Sequence, residues 1–146
     1  ILKWNGSSWQ SQTSGTNQSL FAVWGTDASN VWAVGAGGVI RKWNGTTWQG
    51  QTSGTTWQLS GIWGVNSNQV WASGVGGLIL KWNGTAWQPQ ATGTTESLQN
   101  IWGIDADNIW AVGYNGTLVK WDGTNWQVQS LGIKTVLNDI RGNSTS

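Results

Sequence analysis

A repeat of 39 residues runs through the chain without an insertion or deletion. Lys-Trp pairs mark the repeat at Lys3-Trp4, Lys42-Trp43, Lys81-Trp82 and Lys120-Trp121. Three further tryptophan columns keep this spacing, so 14 of the 15 tryptophans recur with the repeat and only Trp57 stands outside it. A fixed period of this length is typical of structural units that stack on similar neighbours.

Each unit contains four runs of strand-forming residues, which we call strands a, b, c and d. In the copy at residues 98–131, β-branched and aromatic residues fill the runs, and Gly, Asn or Asp fill the gaps between them. The turn from c to d repeats as Asn-Gly or Asp-Gly, which tolerate the positive φ of tight hairpins. Pro89, the chain's only proline, lies in strand d and marks it as an edge strand. No helix is predicted anywhere.

Four short antiparallel strands per 39 residues describe one blade of a β-propeller. We therefore predict an all-β partial propeller formed by the whole chain as a single domain. Its predicted parts are a half blade with strands c and d (1–15), three full blades (20–54, 59–93 and 98–131), and the start of a degenerate blade (135–146). In the last part, residues 135–142 keep the register of strand a, but Arg141 stands where the repeat has Trp.

Three and a half blades do not readily close a ring, because propellers typically have about four to eight blades. We expect further sequence or the association of copies to complete the ring. Two copies would give about seven or eight blades, with the N-terminal hairpin completing a partner's unfinished blade. A four-bladed monomer with one defective blade is the remaining alternative.

The motifs Ile101-Trp-Gly, Asn108-Ile-Trp-Ala-Val-Gly and Lys120-Trp-Asp-Gly-Thr-Asn-Trp carry a family resemblance. Together they resemble the Trp-rich β-propeller repeats of secreted and surface proteins of bacteria. The turn at Asp122 is also similar, more distantly, to the Asp-box of sialidase-like propellers, although the leading Ser of that motif is absent. The resemblance implies a propeller and does not specify an activity, because propellers host enzymes, lectins and scaffolds alike.

The composition argues against most kinds of chemistry. Cys, His and Met are absent, and charged residues make up 9% of the chain. Without thiols or imidazoles, and with few carboxylates, we predict no catalytic residue, no metal site, no cofactor and no enzymatic activity. A net charge of +1 with seven basic residues argues against nucleic-acid binding. The apolar runs are too short to cross a bilayer, so no membrane insertion is expected.

The periodic tryptophans are interpreted as packing between blades, because every copy keeps them. The better ligand-binding candidates are the positions that vary between copies. Trp57 takes the place held by Gln18 and Glu96 in the connection from strand d to the next strand a, and Tyr114 replaces Ala36 and Val75 in the b–c loop. These two connections emerge at the same end of a blade, so we predict one binding face containing Trp57, Tyr114, Gln18 and Glu96.

Two functions follow from this pattern. The first is a lectin-like module that stacks sugar rings on exposed aromatic residues and gains avidity from repetition. The alternative is a structural or protein–protein interaction propeller in an extracellular or surface assembly, with self-association that completes the ring. The exposure of the tryptophans discriminates between them, because sugar stacking in every blade needs an exposed Trp in every blade.

Overall fold

The computed structural model describes residues 1–143 as an all-β chain of consecutive antiparallel sheets. The strands are β1 Leu2–Trp4, β2 Trp9–Ser11, β3 Leu20–Asp27, β4 Asn30–Gly35, β5 Ile40–Trp43, β6 Trp48–Gln51, β7 Leu59–Asn66, β8 Gln69–Gly74, β9 Ile79–Trp82, β10 Trp87–Gln90, β11 Leu98–Gly103, β12 Ile109–Gly113, β13 Leu118–Trp121 and β14 Trp126–Gln129. β1 and β2 form the N-terminal hairpin. The next twelve strands form three four-stranded sheets, which we call blade 1 (β3–β6), blade 2 (β7–β10) and blade 3 (β11–β14).

Strands that follow one another in the chain are neighbours in every sheet, which is the topology of propeller blades. Pro89 lies on the outer strand β10, as the sequence predicts. The b–c loops differ from the expectation of no helix, since each forms a single 3-10 turn: Ala36–Gly38, Val75–Gly77 and Tyr114–Gly116. Among residues 1–143 no helix is long and apolar enough to cross a membrane.

The turns from c to d use Asn and Gly in different ways. Trp43 pairs with Trp48 across the turn, and the Asn44 Oδ1 accepts hydrogen bonds from the backbone N–H groups of Thr46 and Thr47, both at 2.9 Å. Gly45 alone takes a positive φ of 97°. The predicted Asn-Gly signal is therefore a side-chain-bonded turn whose left-handed position belongs to the glycine.

The core lies between blades, where one sheet face packs on the next. In both interfaces a Trp of one strand a reaches a Gly of the next strand a: Trp24 lies against Gly64, and Trp63 lies against Gly103. A Cβ on either glycine would lie 2.7 Å from the tryptophan ring. The cluster between blades 1 and 2 is completed by Ile62 of strand a and by residues of strands b and c, including Trp32, Val34, Leu80 and Trp82.

The column tryptophans pair across neighbouring strands, with ring centroids 5.5–6.0 Å apart. In the three blades every one of them is buried or half-buried. Trp4 and Trp9 of the N-terminal hairpin are the exceptions, with exposed fractions of 50% and 64%. The structural interpretation of the tryptophan columns thus holds throughout the complete blades.

The repeated lysines lie over tryptophan rings, and Lys42 and Lys81 each contact rings of two successive blades. The Lys81 ammonium is 5.1 Å from the ring centroid of Trp71 in its own blade and 5.6 Å from that of Trp121 in the next. Among residues 1–143 the lysines form no ion pair, and the ammonium groups are stabilised by the electron-rich ring faces.

The C-terminal segment keeps the register of the repeat but does not form the predicted strand a. The Leu137 N–H donates to the Gly113 carbonyl at 2.9 Å, and Gly142 lies against the Trp102 ring as Gly103 lies against Trp63. Residues 135–143 nevertheless contain no strand, because the described chain provides no strand b to pair with them. Residues 144–146 of the predicted degenerate blade lie outside the described residues.

Blade 1 has an open apolar face beside the N-terminal hairpin. Val23 is 66% exposed, whereas its counterparts Ile62 and Ile101 are 6% and 2% exposed. Phe21 and Leu2 are also exposed here, and they line a cavity of about 490 Å³. We call this the open face.

Candidate ligand-binding site

The b–c loops and the d–a connections lie together at one end of the blades, which we call the loop end. In each blade the first N–H of the b–c loop donates to the carbonyl just before strand a. The bonds are Ala36 to Ser19, Val75 to Gln58 and Tyr114 to Ser97, at 2.9–3.0 Å. The predicted sharing of one end by these connections is therefore present in the structure.

A repeated hydroxyl turn fixes each d–a connection. In the connection from blade 2 to blade 3, the Thr92 hydroxyl donates to the Gly77 carbonyl at 2.8 Å, and the Thr94 hydroxyl accepts the Glu96 N–H at 3.1 Å. In the connection from blade 1 to blade 2, the Thr55 hydroxyl likewise accepts the Trp57 N–H at 3.0 Å. Sequence reasoning missed this motif, although Ser/Thr-Gly-Thr recurs at residues 14–16, 53–55 and 92–94.

Trp57 lies flat against the b–c loop of blade 2. A Cβ on Gly76 would lie 2.6 Å from the Trp57 ring, so only a glycine allows this close approach. The residue is still 53% exposed. Gln18 occupies the same place in blade 1, where it lies against Gly37.

Trp57 and Glu96 line a common groove of about 640 Å³ beside the b–c loop of blade 2, which we call the middle groove. Leu78, Thr92 and Gln90 complete its walls. Among the described residues the Glu96 carboxylate has no hydrogen-bond donor and no cationic partner. Gln18 lines the cavity at the open face instead, and Tyr114, although 45% exposed at the loop end, does not line the middle groove.

Equivalent grooves lie beside the b–c loops of the other two blades. The groove of blade 1 is formed by glycines and uncharged polar residues of 37–38 and 51–56. The groove of blade 3 contains Val128, Leu131, Ile133 and a positive charge at Lys134. The middle groove therefore differs from both in its aromatic ring and its negative charge.

The opposite end of the blades holds most of the carboxylates in closed turns. Backbone and side-chain donors within their own turns lower the pKa of Asp27, Asp105 and Asp122 below its ordinary value. The Asp105 Oδ1 accepts the N–H groups of Asp107 and Asn108, both at 2.9 Å, so this loop is an Asx turn. These oxygens are engaged with their own loops.

The topology and the packing between blades define a β-propeller. No protein-family model matches the chain, and no curated protein matches it. The chain is similar in structure to "YCF48 bound to D1 peptide", with a TM-score of 0.70 and 17% identity over 85% of this chain and 45% of that one. It is also similar to "YCF48 from Cyanidioschyzon merolae", with a TM-score of 0.66 and 14% identity over 80% of this chain and 42% of that one.

The chain spans less than half the length of either YCF48 structure. The likeness confirms the propeller fold expected from the repeat. The finer resemblance to Trp-rich bacterial repeats and to the Asp-box has no support from a matching family.

Proposed function

We propose that this chain is a non-enzymatic protein-binding propeller whose loop end contacts a segment of a protein partner. The observation that carries the proposal is Trp57, a large apolar side chain that the repeat does not require and that is 53% exposed in an open groove. Exposed aromatic residues in grooves are typical anchors of protein interfaces. The YCF48 structure bound to a D1 peptide supports the proposal by example, since a similar fold binds a peptide there.

Lectin-like binding was the other expectation from the sequence. Multivalent sugar stacking needs an exposed Trp in each blade, and the column tryptophans of the three blades are buried or half-buried. The comparisons give glycan binding no support. The protein-binding alternative is therefore the better proposal.

Self-association is a separate proposal, supported by the open face. Val23, Phe21 and Leu2 expose apolar surface there, and the residues equivalent to Val23 in blades 2 and 3 are covered. Sedimentation at increasing protein concentration tests it, because association through this face gives a concentration-dependent mass.

A location outside the cell or on its surface is likewise proposed, on the resemblance to secreted repeats, and cell fractionation tests it.

The test of protein binding is a peptide-display selection on the immobilised chain, run beside a glycan array. The comparison variant is Trp57→Gln, because glutamine occupies the equivalent position at Gln18 and keeps the connection intact. We expect selected peptides that bind the wild type and lose affinity for the variant. Glycans bound in a Trp57-dependent manner, with no such peptides, would overturn the proposal in favour of a lectin.

A further inference from the structure

The middle groove combines two groups that the other grooves lack, an exposed indole face and an unpaired carboxylate. Trp57 contributes the ring and Glu96 the charge. Glu96 is the only glutamate in the chain, and none of the described residues that line this groove is basic. The local field of the groove is therefore negative, beside an electron-rich aromatic surface.

Several other polar groups of the groove are engaged within the chain. The Thr92 hydroxyl donates to the Gly77 carbonyl, and the Thr94 hydroxyl accepts the Glu96 N–H. The Gln90 amide donates to backbone carbonyls of its own strand. Glu96 is the one charged residue among the described residues that line the groove, and its carboxylate receives no hydrogen bond or ion pair from them.

An apolar stem with a cationic head matches this arrangement. The stem packs on the indole and Leu78, while the head lies over the ring face and pairs with the carboxylate. Arginine also stacks its planar guanidinium on aromatic rings and binds carboxylates in a bidentate manner. A neutral side chain would leave the negative charge uncompensated, and an acidic side chain would repel it.

We propose that the middle groove binds a lysine or arginine side chain of the protein partner, held by Trp57 and Glu96. This rests on the proposed function and adds the chemistry of the partner's anchor residue. The groove of blade 3 carries Lys134 at its wall and is unsuited to the same ligand. The site therefore gives the loop end one cation-selective position among its three grooves.

The experiment uses blocked pentapeptides Gly-Ser-X-Ser-Gly, with X as Arg, Lys, Gln or Glu, titrated into the chain labelled with 15N at the tryptophan indoles. The Trp57 signal is assigned by its absence in Trp57→Gln. We expect the Arg and Lys peptides to shift this signal and the Gln and Glu peptides to leave it in place. Glu96→Gln should weaken Arg binding about twofold to fivefold, the contribution of one exposed charge pair, because the cation–π contact with Trp57 is kept.

Asp122→Asn is the matched control, because it removes the same charge at the opposite end of the blades and the equivalent copies carry Asn44 and Asn83. We expect it to leave Arg binding unchanged. If Asp122→Asn and Glu96→Gln weaken Arg binding equally, the effect comes from the net charge of the chain, and the proposal is overturned. An absent shift up to the solubility limit of the Arg peptide, or an equal shift by the Gln peptide, would also overturn it.

The display selection separates this failure from failure of the proposed function. Selected peptides that depend on Trp57 but contain no Lys or Arg keep the protein-binding function and exclude the cationic anchor. A selection without Trp57-dependent peptides overturns both.

Discussion

The same position of strand a is buried in blades 2 and 3 but exposed in blade 1, so truncation to alanine can be compared between the two environments within one molecule. Ile101 and Ile62 are 2% and 6% exposed between blades, whereas Val23 is 66% exposed at the open face. Replacing either isoleucine with alanine removes three carbons from a packed interface. At about 0.8 kcal/mol for each buried CH₂, the transfer loss is about 2.4 kcal/mol, and the cavity raises the cost toward about 3–4 kcal/mol.

Val23→Ala removes methyl groups that already contact solvent, so its cost should stay within about 0.5 kcal/mol. The assay is urea unfolding followed by tryptophan fluorescence and far-UV circular dichroism, with the free energies compared where the two signals coincide. A cost of Val23→Ala equal to that of Ile62→Ala would refute the reasoning, because it would mean that the open face is covered in solution. Repeating the measurement at several protein concentrations then identifies coverage by a second copy.

Three further predictions follow from glycines, turns and lysines. Gly77→Ala should destabilise the chain more than Gly54→Ala, because both glycines have positive φ but only at Gly77 would a Cβ overlap the Thr94 carbonyl; thermal unfolding of the pair measures the difference. The folded-state pKa of Asp122 is lowered by backbone N–H donors, so its contribution to stability is present above the unfolded pKa and is lost as the pH falls through the folded pKa. Asp122→Asn should keep the turn but make the free energy of unfolding less dependent on pH in that range. An unchanged acid-unfolding curve would contradict this. Lys81→Met keeps the stem but removes the cation from two rings, and should cost about 0.5–1 kcal/mol in urea unfolding.

The sequence predicted the fold because the repeat constrains every blade in the same way. Pro89 indicated the outer strand, and the tryptophan columns indicated packing between blades, as the structure has it. The 3-10 turns at the b–c loops were missed, since three-residue glycine-rich turns have no helical periodicity to detect. Residues 135–143 kept the register of a strand without becoming one, because strand formation depends on a paired neighbour as well as on side-chain pattern.

The candidate site was predictable only in part. Trp57 was found because it departs from the repeat, and the alternation of connections placed it at the loop end. The grouping of Trp57 with Glu96, and not with Gln18 or Tyr114, depends on how successive blades bring one connection against the next loop. This grouping depends on distances in the folded chain, and a pattern of residues along the sequence does not contain those distances.

The fit of Trp24 on Gly64 and of Trp63 on Gly103 has a consequence for how such a chain changes over generations. Because successive junctions are made by the same pair of residue types, a gene segment of one period can be copied or lost without producing a junction of a new kind. The number of repeat units is then constrained by the geometry of the finished ring. Surface residues such as the one at position 57 are free to diverge in each copy. A uniform set of junctions thus permits each blade to acquire its own binding specificity.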